Sequence, residues 1–153
     1  MKYARRIFPA NGIRICVDEY HERDLSGRIY SKLMPQPLVF QNCGEMLLKA
    51  DSMFDEKGYP QAFQRKRTFS EKKGCRNYCA RPPEFLTDRY IQEKEGRRGT
   101  FDVIVHTRKK AGWQGYFRNV SDSGKTVEFR SELEMLKLLD GKLLIRAADT
   151  LYK

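Results

Sequence analysis

TVEFRSELEMLKLLD (residues 126–140) runs from an extended segment into a helix, and an earlier stretch, LVFQNCGEMLLKAD (38–51), makes the same passage. Ser131 with Glu134, and Asn42 with Glu45, stand as N-cap and N3 residues, the arrangement of a capping box. Phe129 and Phe40 lie two residues before the caps, Met135 and Met46 four after them, and Leu136 and Leu47 follow. The shared register predicts equivalent helices over 42–56 and 131–140, with Leu47 and Leu136 buried.

The likeness continues upstream. IRICVDEY (13–20) aligns with FDVIVHTR (101–108), and GRIYSKL (27–33) with GYFRNVS (115–121). Ile13, Ile15 and Val17 alternate with polar neighbours as Phe101, Val103 and Val105 do, the period of a strand with one buried face. Gly27 and Gly115 open the second strands, and Pro35-Gln-Pro37 and Asp122-Ser-Gly124 mark the turns before the third. The expected fold is therefore α+β, one domain over 1–153. It comprises two pseudo-repeated ββ(β)α units, 12–57 and 100–142, joined by a basic linker and short helix over 61–99. Two unrelated units of the same type would read alike. Within the joining region, EFLTDRYIQEKEGRRG (84–99) reads as the short helix, ending at Gly96.

A chain of 153 residues is long enough for a real core. MKYARRIFPANG lacks the apolar run of a signal peptide, and no stretch is long enough to span a bilayer, so a cytoplasmic protein with no membrane partner is expected. The four cysteines then read as thiols. Cys16 and Cys43 fit small packing positions; Cys75 and Cys79 are spaced C-x3-C with no second Cys or His pair at a metal-ligand distance. Neither a metal nor a cofactor is expected.

Charge is unevenly spread. The net charge is +10, and residues 61–100 carry eleven Lys/Arg against five Asp/Glu, more than half of the excess. QAFQRKRTFSEKKGCRNYCARPP (61–83) holds Arg65, Lys66, Arg67, Lys72, Lys73, Arg76 and Arg81 against Glu71, interleaved with Phe63, Phe69 and Tyr78. Cations displace counterions from phosphates, and rings offer stacking faces for unpaired bases. The same composition also suits a solvated connector. A second basic group, Arg108, Lys109 and Lys110, reads as a hairpin tip able to lie along a phosphate backbone, with Trp113 beside it as a core residue. Together these ten cations are the candidate nucleic-acid-binding residues.

No phosphate-binding glycine loop, nucleophile elbow or HExxH pair occurs, so the chain reads as a binding protein rather than an enzyme. The enzymatic alternative is metal-independent RNA cleavage, which needs a base, an acid and a cation. His106 occupies the aligned position of Asp18. If the first strands of the two units lie near a pseudo-twofold axis, that pair would face each other as the catalytic residues, with Arg108 or Arg14 supplying charge.

At Trp113-Gln114-Gly115, at FRSELE (129–134), at Leu138-Leu139-Asp140 and along LLKADSMFDEKGYPQAFQRKRTF (47–69), the chain resembles a family of small proteins encoded on mobile elements of gut Gram-positive bacteria. The resemblance implies an anti-CRISPR protein that protects conjugative elements from Cas9. It brings no catalytic residue. A strongly cationic inhibitor does not imitate DNA; it would hold the guide RNA or dock on an acidic surface of the effector, which delegates sequence reading to that RNA. The expected partner is therefore RNA or an RNA-guided effector nuclease, with a general nucleic-acid-binding accessory protein as the plainer alternative. Oligomeric state is not legible in the sequence.

Overall fold

The alternation of Ile13, Ile15 and Val17 with Arg14 and Cys16 becomes a strand, β1 (Gly12–His21). In the computed structural model, which describes residues 8–60, 81–108, 112–122 and 125–151, it is followed by β2 (Asp24–Tyr30), β3 (Leu38–Phe40) and α1 (Cys43–Lys57). Then come α2 (Asp88–Gln92), β4 (Gly99–Thr107), β5 (Gln114–Asn119), β6 (Thr126–Phe129) and α3 (Glu132–Leu151). The fold is α+β. All neighbouring strands are antiparallel, in a six-stranded sheet ordered β3-β2-β1-β4-β5-β6. Counted outward from the β1/β4 seam, the order is the same on both sides.

Local details match across that seam. Gly27 lies opposite Val17, and Gly115 opposite Val105. A Cβ at Gly27 would stand 1.9 Å from the Cys16 carbonyl oxygen, and one at Gly115 1.8 Å from that of Ile104, so neither site admits a side chain. Phe40 and Phe129, both buried, are the cross-strand neighbours of these glycines and supply the packing that glycine lacks. Both registers shift one step beyond the glycine pairs, between Val17 and Glu19 and between Val105 and Thr107, leaving Asp18 and His106 as the extra residues.

Both helices begin as expected. Asn42 Oδ1 accepts the Glu45 N–H at 2.8 Å and Ser131 Oγ accepts the Glu134 N–H at 3.2 Å, while Glu134 reaches back to accept the Arg130 N–H. Of the adjacent pair in each helix the methionine, Met46 or Met135, is the fully buried one, and Leu47 and Leu136 are only half-buried. The buried stripes explain this correction: Met46, Ala50, Met53 and Phe54 in α1, and Met135, Leu139 and Leu143 in α3, fall at helical spacing with the methionine leading. The stripe continues through Leu143, so α3 runs on past Asp140 to Leu151.

Across the sheet, α2 is shorter than the sequence suggests. Thr87 caps it by accepting the Tyr90 N–H, and the Arg14 guanidinium takes the carbonyls of Ile91 and Gln92, which ends the helix far short of Gly96. Ile91 packs there with Phe8, Cys16 and Tyr30, covering the outer face of β1 and β2.

The halves are interlocked by two aspartates, each nine positions after its helix cap. Asp51 of α1 accepts the Trp113 indole N–H at 3.0 Å, and Asp140 of α3 accepts the Tyr20 hydroxyl at 2.6 Å and the Arg23 guanidinium. Each helix thus holds the first hairpin of the other half, and the principal core draws on both halves.

Truncating Met135 to Ala should cost about 2–5 kcal/mol in urea unfolding, and truncating the half-buried Leu136 distinctly less. Burial, then the Asp140 contact, pushes the Tyr20 hydroxyl up to about 12 from its ordinary 10.0. The unfolded chain releases that proton first, so its contribution is fully present below pH 10 and lost as pH rises towards 12. Unfolding midpoints measured across this window should fall less steeply in Tyr20→Phe than in the wild type.

Candidate nucleic-acid interface

Of the expected tip cations, Arg108 is the one that the structure describes, and it is not a surface charge. Only 4% exposed, it donates to the Pro60 carbonyl at 2.8 Å, to Asp55 at 2.6 Å and to Asp51 at 3.4 Å. Its guanidinium also lies 5.7 Å from the Phe54 ring, which meets Trp113 edge-on. An arginine so committed is no phosphate contact; it closes the β4 end onto α1. Trp113 is a core residue, as expected. Lys109 and Lys110 lie outside the described residues.

Arg65, Lys66, Arg67, Lys72, Lys73 and Arg76 also lie outside them, as do Cys75 and Cys79, while Arg81 is exposed. The chain flanking this stretch is firmly placed. On one side Pro60 receives Arg108. On the other, the Phe85 N–H donates to the Lys32 carbonyl, the Lys57 ammonium stands 5.3 Å over the Phe85 ring, and the Lys32 side chain pairs with Asp88 and Glu84. Lys57 ends α1 and Lys32 follows β2, so both flanks sit at the end of the sheet where β1 begins. Phe8 reaches the same end through its contact with Gly12, and Arg108 through the antiparallel register that sets Ile104 against Gly12.

These placements give the charge a direction. Residues 1–7, 61–80 and 109–111 contain eleven Lys/Arg and one acid, Glu71; the rest of the chain carries nineteen of each sign. All three stretches adjoin the described chain at that same end. The whole excess of +10 therefore lies, in sequence, in stretches whose described neighbours stand at that end.

The proposed catalytic residues are not brought together. The register sets Gly12 against Ile104 and Val17 against Gly99, which puts Asp18 and His106 at opposite ends of the β1/β4 seam, roughly 25 Å apart at strand rise. The antiparallel seam is what separates residues that occupy equivalent bulges. Asp18 is held by Arg28 at 3.0 and 3.2 Å and accepts the Arg97 N–H, whereas His106 is exposed beside Tyr116. Arg14, the other candidate cation, is buried against Asp102 at 2.8 and 2.9 Å. No single phosphate could meet these groups.

Burial raises the Cys16 thiol to about 11, an unreactive packing residue; Cys43 is half-buried. Among the described residues no cluster of His, Cys, Asp and Glu suits a metal ion, and no helix is long and apolar enough to cross a membrane.

Sequence reasoning passed over a feature of the outer sheet face. Phe8, Pro9, Ile104, Tyr116, Arg118 and Thr126 bound a cleft of about 100 Å³ over β4, β5 and β6. Its signal was present in the alternation of Tyr116 and Arg118 with the buried Gly115 and Phe117. No family model, curated protein or solved structure matches the chain, so the family reading rests on the sequence motifs alone.

Arg108→Ala should lower stability by about 3 kcal/mol, because it strands the Asp55 carboxylate and a buried carbonyl, while Asp51 keeps the Trp113 indole. It should leave the salt dependence of polyanion binding unchanged. Urea unfolding and a two-salt titration of the same variant separate this anchoring role from a phosphate contact.

Proposed function

We propose that this is a cationic RNA- or ribonucleoprotein-binding protein of a mobile element, acting in the cytoplasm as an inhibitor of a Cas9-type effector. It engages the effector's guide RNA through Arg65, Lys66, Arg67, Lys72, Lys73 and Arg76, joined by Lys109, Lys110 and the exposed Arg81. The observation that carries the reading is the segregation of charge along the chain: residues 1–7, 61–80 and 109–111 hold an excess of +10, the remainder is balanced, and the described neighbours of all three stretches stand at one end of the sheet. A cation set of this kind binds phosphate by counterion release. The choice of RNA over duplex DNA follows from the interleaved Phe63, Phe69 and Tyr78, since rings serve unpaired bases. The choice of the effector follows from the family resemblance.

Incubating the protein with guide RNA, with and without the effector, tests the reading on native and denaturing gels: the RNA should be retained and stay full length. Each phosphate contact removed should lower the slope of log affinity against log salt by roughly 0.7–0.9. Arg65→Ala, Arg67→Ala and Lys72→Ala combined should therefore flatten it by roughly 2–3 and relieve effector inhibition. Urea unfolding of the triple variant, expected to match that of the wild type, keeps the binding result separate from folding. Unchanged affinity and slope in the triple variant would reduce the stretch to a solvated connector.

A further inference from the structure

The two halves of the outer sheet face are finished differently. Over β1 and β2 the chain covers itself: Tyr90 meets the Tyr30 ring edge-on at 6.4 Å, and the Lys94 ammonium lies 4.3 Å from the Tyr90 ring and 5.7 Å from that of Tyr30. Over β4, β5 and β6 the aligned positions carry the same two residue types in exchanged order. Arg28 and Tyr30 of the first half correspond to Tyr116 and Arg118 of the second. Tyr30 is buried beneath α2, whereas Tyr116 is 42% exposed.

The open half has the parts of a ring-sized site. Its cleft of about 100 Å³ is too small for an extended ligand, whose sites run to about 300–1,000 Å³, and matches one flat ring inserted edge-first. Phe8, Pro9 and Ile104 give it apolar walls, and Tyr116 gives it an aromatic face. Arg118 brings a cation to its rim, oriented by Asp102 at 2.6 Å. His106 adds a second ring 6.4 Å from that of Tyr116. An aromatic face beside a guanidinium suits a flat group that carries negative charge next to it.

We infer that this cleft receives one unpaired nucleobase of the bound RNA, stacked on Tyr116 with the Arg118 guanidinium beside its phosphate. The inference rests on the RNA-binding reading above and gives it a second kind of contact. Phosphate contacts set the salt dependence; a stacked base adds affinity that salt does not remove.

The test uses the full chain and a single-stranded oligouridylate with 2-aminopurine at its centre, titrated at two salt concentrations by probe fluorescence. Wild-type protein should quench the probe. Tyr116→Ala should abolish the quenching and weaken binding roughly 5- to 150-fold, the span of one lost base–aromatic stack, with the salt slope unchanged. Tyr116→Phe should keep both quenching and affinity, and an abasic central nucleotide should weaken the wild type but not Tyr116→Ala. If Tyr116→Ala binds as the wild type does with the slope intact, the base site is wrong while RNA binding stands. If the wild type retains no RNA at any salt, both readings fall. Loss of binding to the effector protein without its RNA, with oligouridylate binding unaffected, would assign the cleft to a protein partner and overturn the inference.

Discussion

A buried ion pair at the middle of the sheet, Arg14 against Asp102, joins more of this molecule than any other described contact. Asp102 accepts both prongs of the Arg14 guanidinium and also Arg118, while Arg14 donates onward to the carbonyls of Ile91 and Gln92. One network therefore fastens β1, β4, β5 and α2. Charges removed from water are tolerated only when their hydrogen-bonding capacity is met, and here strand register and helix end both meet it. The pair also settles which strands meet at the seam. Positions 14 and 102 are the aligned positions of the two halves that face each other across it. Two copies of the first half paired in this register would oppose arginine to arginine, and two of the second aspartate to aspartate. Only the unlike pairing neutralises the buried site.

Much of the fold was legible because its determinants are local. Strand period, the capping boxes at Asn42 and Ser131, and the glycines at 27 and 115 all act within a few residues. What was not legible depends on partners far away in the chain. Arg108 looks like any surface cation until α1 brings Asp51 and Asp55 to it from more than fifty positions away. Arg14 shortens α2 from 77 positions away. The shared placement of Asp51 and Asp140, nine residues after their caps, was readable, but not that each clasps the hairpin of the other half.

The candidate site divides along the same line. The cationic stretch was conspicuous by composition, whereas the separation of exposed from committed cations was invisible: Arg14, Lys32 and Arg108 are buried and serve carboxylates or carbonyls of the chain itself. Asp18 and His106 each sit where a strand register shifts. Equivalence across an antiparallel seam places residues at its two ends unless they lie at its centre, and the centre belongs to Arg14 and Asp102.

The position of the seam has a consequence for synthesis. The central contact of the sheet joins residues 88 positions apart, so β1 waits for most of the chain before it gains its second neighbour. A growing polypeptide that has not yet delivered β4 offers β1 as a bare strand edge, with Ile13, Ile15 and Val17 ready to pair with any other extended segment. Such non-local closure is slow. During that interval the cationic stretch at 61–80, already made, repels other nascent copies. That charge thereby guards an edge that the finished sheet no longer exposes.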